Sequence, residues 1–114
     1  IGRRHILTAA HCVHSYPEKV WSIVAGESAV DRPPSSSPIP VSKIHMHPDY
    51  KRPHYTHDIA ILSLSSDIQW SDKSQPTCLP DDDLILGPED GELAGWGYDN
   101  EKRKGGVPSG QLRS

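Results

Sequence analysis

Two residues of this chain have the types that proton-transfer chemistry requires, His11 and Asp58, and each closes or opens a distinctive short run. His11 ends Leu7-Thr8-Ala9-Ala10-His11 and is followed by Cys12, while Asp58 follows His57 and opens Asp58-Ile59-Ala60-Ile61-Leu62. The two lie 47 residues apart, so only tertiary structure can join them. An imidazole serves as a general base near neutral pH, and a carboxylate bonded to one ring nitrogen decides which nitrogen stays free to act. A serine hydroxyl needs such help, because unassisted it is a poor nucleophile at neutral pH. In that chemistry Asp58 accepts the Nδ1 proton of His11, turns Nε2 toward the nucleophile and stabilises the imidazolium that forms. The small side chains of Ala9 and Ala10 would let the backbone approach the Asp58 carboxylate closely and donate N–H groups to it. Taken singly, a histidine beside alanines is more often a packed or surface side chain. An aspartate before an apolar run can likewise be a strand-entry residue bonded to its local backbone.

The elements that must position this pair read as β-structure, since apolar residues recur at i+2 far more often than at i+3 and i+4. Arg4 to Thr8 is a short strand running into Ala9-Ala10-His11-Cys12, a compact turn of helical character. Val20 to Ala25 reads as a strand closed by Gly26. Asp31 to Pro40 reads as a loop, because its four prolines cannot donate to a β ladder. Val41 to Met46 resumes a strand that ends in the turn His47-Pro48-Asp49-Tyr50. Ile59 to Leu64 is the strongest strand, apolar on both faces at first and then alternating, as a strand leaving a buried core should be. Past Trp70 lies an acidic connector containing Asp81-Asp82-Asp83, Glu89-Asp90 and Glu92, after which Glu92 to Gly97 reads as another strand. Glu101 to Gly106 reads as a polar, glycine-ended surface loop.

Composition sets bounds on this reading. With 114 residues, 34% of them apolar and 24% charged, the chain fits a soluble globular domain of modest core. Its longest apolar run, Ile59 to Leu62, is far short of the roughly 20 residues that span a bilayer. A net charge of −3 with no basic stripe among aromatics argues against a nucleic-acid partner. The cysteines Cys12 and Cys78 can pair with each other, pair with sequence outside the chain, or stay free. His45, His47, His54 and His57 invite a metal reading, but they lack the fixed spacing and the cysteine or carboxylate partners of a zinc site. No metal and no cofactor are expected. Asp81 to Asp83 and Lys102-Arg103-Lys104 read most simply as solvated segments.

Leu7-Thr8-Ala9-Ala10-His11-Cys12 and His57-Asp58-Ile59-Ala60-Ile61-Leu62 each resemble a signature of the trypsin/chymotrypsin-like serine protease family. Ala94-Gly95-Trp96-Gly97 resembles the first strand of that family's second β-barrel. The resemblance implies an all-β fold, an antiparallel Greek-key β-barrel of the trypsin-like type that is incomplete here. Residues 1–90 would supply the N-terminal barrel without its start, and residues 91–114 the beginning of the second. It gives His11 the role of catalytic base and Asp58 that of the orienting carboxylate. It also bridges Cys12 to a cysteine upstream of Ile1 and tethers a propeptide through Cys78, so that no Cys12–Cys78 disulfide forms. Glu27 resembles the first ligand of the family's calcium loop, but Asp31-Arg32-Pro33-Pro34-Ser35 departs from that loop and offers no closing glutamate.

The activity implied is that of a secreted endopeptidase, made as a zymogen, which cleaves protein or peptide substrates through an acyl-enzyme and meets proteinaceous inhibitors. No Gly-Asp-Ser-Gly-Gly segment occurs, and the chain opens on Ile1 with neither an initiator methionine nor a signal peptide. These residues are therefore expected to be a piece of the protease, inactive alone. The alternative is a protease homologue with its serine replaced, acting as a secreted binding or cofactor protein. By the same resemblance Lys102 to Lys104 falls in an exposed loop open to cleavage, and Asp31 to Pro40 lies near surfaces used in partner selection.

Overall fold

The computed structural model describes residues 1–85, 87–88 and 91–97. Its elements in chain order are strand β1 (His5–Thr8), a single helical turn α1 (Ala10–Val13), a 3-10 turn (Glu18–Val20), and strands β2 (Ser22–Ile23), β3 (Ile39–Met46) and β4 (Ala60–Leu64). The strands form one antiparallel sheet in the order β1-β4-β3-β2. Mostly strands, with a single helical turn, the described residues are of the all-β class that the resemblance implies.

β4 is central because its sequence suits burial. Ala60, Leu62 and Leu64 are 2 to 3% exposed and share one face, with Ile61 and Ser63 on the other. Leu62 is flanked in register by Ile6 on β1 and Ile44 on β3, so three aliphatic side chains cross the sheet in a row. The core continues with Ala10 and Val13 from α1, Val41 from β3 and Ile68, and Trp21, Ile23 and Trp70 pack against it. Burying a leucine of this kind stabilises a fold by about 1.5–3 kcal/mol.

The edges depart from the sequence reading. The strand expected over Val20 to Ala25 shrinks to Ser22–Ile23, because Pro17 opens a 3-10 turn and the partner of Ser22 is Pro40, which has no N–H to donate. β3 begins inside the proline-rich segment rather than after it. Pro40 is tolerated because its carbonyl accepts from the Ser65 N–H at 3.0 Å, while N–H donation resumes at Val41, bonded to the Trp21 carbonyl at 3.0 Å. A bulge between Val41 and Lys43 follows, where the Ser42 hydroxyl donates to the Ser63 carbonyl at 3.0 Å.

The chain divides into two compact units. Ile1–Gly26 and Ser36–Leu79 hold the sheet and α1. In the other unit the Glu27 carboxylate, read from sequence as a calcium ligand's counterpart, accepts from the Ser35 N–H and hydroxyl at 2.6 and 2.5 Å. There the Trp96 indole also donates to the Ser28 carbonyl at 3.1 Å. The strand expected over Glu92 to Gly97 does not form; Gly95 makes only an isolated bridge. Glu101 to Gly106, and with it the expected cleavage loop, lies outside the described residues.

Candidate active site

β1 ends at Thr8, and Ala9 is extended (φ −85°, ψ 139°) before the chain turns into α1. Ala9 has no side-chain group with which to cap that turn, so the first N–H groups of α1 need an external acceptor. Asp58 supplies it from the entry to the neighbouring strand, two residues before Ala60, the register partner of Thr8. Its Oδ1 accepts the His11 backbone N–H at 2.8 Å, and its Oδ2 lies 2.5 Å from His11 Nδ1. The Ala10 N–H contributes as well. The small residues before His11 leave room for this approach, and a main-chain donor to the carboxylate is the His11 N–H at the start of the helical turn.

Asp58 is brought there by a loop of unusual backbone. After β3, the Tyr50 N–H bonds the His47 carbonyl at 3.0 Å, and Lys51 bridges Thr56. Tyr55 and His57 then adopt left-handed φ values of 50° and 54°. The Ile59 N–H returns to the His57 carbonyl at 2.8 Å, which puts Asp58 at the apex of a three-residue turn just before β4.

The carboxylate is 21% exposed and the imidazole 49%. Burial is the largest single influence on Asp58 and pushes its pKa up. The backbone and ring hydrogen bonds from His11, its charge and the Ala10 N–H together outweigh that, and the carboxyl stays below its usual value. Asp58 is thus an anion that holds His11 with Nδ1 as donor. Nε2 is on the far side of the ring, with Cys12 Sγ at 3.6 Å. Tyr55 meets the imidazole edge-on at 5.5 Å. Tyr50 packs against His14 at 5.9 Å, with its hydroxyl buried and without a hydrogen-bond partner among the described residues. Burial and the nearby Asp58 charge raise its pKa.

The structure therefore brings His11 and Asp58 together and leaves the other candidates apart. Cys12 and Cys78 are both exposed and unbridged. Among the described residues no group of three or more potential metal ligands occurs. The histidine cluster disperses: His45 bonds the Ser63 hydroxyl at 3.0 Å, and His47 stacks on His57 at 4.7 Å. Sequence reasoning missed Tyr55, whose one signal was its place three residues before Asp58, on the loop that delivers the carboxylate.

An antiparallel barrel sheet presenting a histidine oriented by a remote aspartate is the arrangement of a trypsin-like domain. The profile of the Trypsin family matches residues 1–114, and the chain belongs to that family. It is similar to alkaline trypsin B of Manduca sexta, with 32% identity over 116 residues that cover 99% of this chain and 43% of that protein. Among solved structures it resembles GrC, with a TM-score of 0.80 and 26% identity over 98% of this chain and 47% of that one. The chain thus spans less than half the length of these relatives. Among the described residues no helix is long and apolar enough to cross a membrane.

Proposed function

We propose that this chain is the base-bearing part of a trypsin-like serine endopeptidase. His11 is the general base, Asp58 fixes its tautomer, and a serine elsewhere in the protein attacks the peptide carbonyl. The observation that carries the reading is the double hold of Asp58 on His11, through the ring at 2.5 Å and the backbone at 2.8 Å. A surface ion pair needs only the first contact; orienting a base needs both, because the backbone bond stops the carboxylate from rotating away. Residues 1–90 supply the first barrel in this reading, and residues 91–114 open the second.

The cysteines fit the same reading. A disulfide from Cys12 to a cysteine outside the chain would take away the donor hydrogen of the thiol whose Sγ lies 3.6 Å from Nε2 and leave that nitrogen to the serine. Cys78, exposed, is free to tether a propeptide, in keeping with a secreted zymogen. Peptide and protein substrates, and proteinaceous inhibitors that mimic them, are the partners. The chain alone, without a Gly-Asp-Ser-Gly-Gly segment, does not hydrolyse peptides.

The test is to extend the chain through the second barrel and measure peptide hydrolysis and serine-directed phosphonate labelling. The reading predicts both, and both vanish in His11→Ala. Labelling that is absent from the extended protein, or that survives His11→Ala at the wild-type rate, sinks it.

A further inference from the structure

We propose that His57 is a positioning residue for Asp58: stacked on His47 and held in a left-handed backbone conformation, it sets the turn that delivers the carboxylate to His11. This rests on the reading of His11 and Asp58 as base and orienting group.

Both chain neighbours of Asp58 are attached to a single residue. On one side the His57 ring lies on the His47 ring, with centroids 4.7 Å apart and planes 23° from parallel. On the other, the His47 N–H donates to the Ile59 carbonyl at 3.0 Å. The Ile59 N–H in turn bonds the His57 carbonyl at 2.8 Å and closes the turn around Asp58. His47 is a firm platform because its Nδ1 accepts the Asp49 N–H at 3.0 Å and its carbonyl accepts the Tyr50 N–H at 3.0 Å. Asp58 is therefore bracketed, and the bracket is built from the loop rather than from α1.

The backbone gives the stack its purpose. At φ 54° His57 occupies a region that most L-residues avoid, although histidine enters it more readily than branched side chains do. Left to local preference, that residue returns to negative φ and swings Asp58 away from the N–H and Nδ1 of His11. The stacked pair lies within the distances at which aromatic rings attract and opposes that return. A metal role for the two histidines does not fit: nearly parallel stacked rings do not converge their nitrogens on one ion, and no third ligand joins them among the described residues.

The experiment is an NMR measurement on the chain itself, reading the downfield proton shared by His11 Nδ1 and Asp58. Its solvent exchange is compared with that of a core amide such as Leu62. His47→Ala removes the platform and leaves residue 57 intact, and exchange is expected to accelerate roughly 2- to 10-fold. His57→Val, which disfavours left-handed φ, loses more of the signal than His57→Asn, which tolerates it. Tyr16→Ala, which deletes a ring contact to Trp21 at 6.3 Å elsewhere in the fold, leaves the proton unchanged. A native amide spectrum in His47→Ala with the downfield proton unmoved and exchanging at the wild-type rate overturns the proposal. Persistence of that proton in Asp58→Asn overturns instead the pairing on which it rests, so the two failures are distinguishable.

Discussion

Asp58→Asn changes one atom, and the structure dictates where that atom goes. Oδ1 accepts the His11 backbone N–H at 2.8 Å, a donor that cannot be reversed. An asparagine at this position keeps its carbonyl on that N–H, and its amino group must then take the place of Oδ2, 2.5 Å from His11 Nδ1. A donor there pairs with Nδ1 only when Nδ1 carries no proton. The ring proton moves to Nε2, the atom that should receive the proton of the nucleophile, and the base is blocked while its placement survives. For the general Ser-His-Asp arrangement this inversion costs a factor of about 10⁴ in turnover. Two assays follow. In the chain, nitrogen shifts of His11 report the exchange of tautomer directly. In the extended protein, kcat falls by about that factor while KM changes little, because nothing that touches substrate has moved. A variant whose His11 still carries its proton on Nδ1, or whose turnover stays within tenfold of wild type, refutes the reasoning.

Other expectations concern the frame that holds the pair. Leu62→Ala, at the centre of the sheet and 3% exposed, should destabilise by about 2–5 kcal/mol in urea unfolding, and an unchanged midpoint would remove Leu62 from the core. Gly26→Ala meets no atom closer than 3.6 Å but must hold φ at 80°, so strain alone should cost about 1 kcal/mol, to be read by thermal melting. Asp67 is held below its usual pKa first by its hydrogen bond from Arg4, against some burial, and Asp58 is also depressed. Both carboxyls bind fewer protons folded than unfolded. Their stabilisation is therefore present above the unfolded carboxylate pKa, near ~3.9, and is lost as pH falls through the lower folded values. Asp67→Asn should accordingly flatten the acid-unfolding curve below about pH 4, and a curve of unchanged slope would show that the Arg4 contact carries no linkage.

The sequence revealed those parts of the fold whose side chains state their own environment. β4 was legible because Ala60 to Leu64 alternates after an apolar start, and β1 because it leads straight into the Ala9 to Cys12 turn. β2 was overread: Val20 to Ala25 has the composition of a strand, but strand length depends on a partner, and that partner contains Pro40. β3 was underread for the converse reason, since a proline whose carbonyl bonds Ser65 does not end a strand. Glu92 to Gly97 reads as a strand, and Ala94 to Gly97 resembles the opening strand of the family's second barrel, yet among the described residues only an isolated bridge at Gly95 appears there. At the site, spacing and context picked out His11 and Asp58. The left-handed Tyr55 and His57 were invisible, because neither residue type announces positive φ as glycine does.

The described contacts that hold Asp58 on His11 lie within one compact unit, Ile1–Gly26 with Ser36–Leu79. The donors belong to α1, the bracket of His47, His57 and Ile59 belongs to the loop between β3 and β4, and the core beneath both is the sheet itself. If His11 and Asp58 are the base and orienting group proposed above, the tautomer of His11 is set as this unit folds, and the cost of orienting the base is met by folding rather than during the reaction. A ring that is 49% exposed yet held at Nδ1 suits such a division of labour: its orientation is set by Asp58, and Cys12 Sγ is the described neighbour of Nε2. On that proposal the perturbations expected to shift the His11 tautomer are those of the loop and α1, read as changes in the His11 nitrogen shifts.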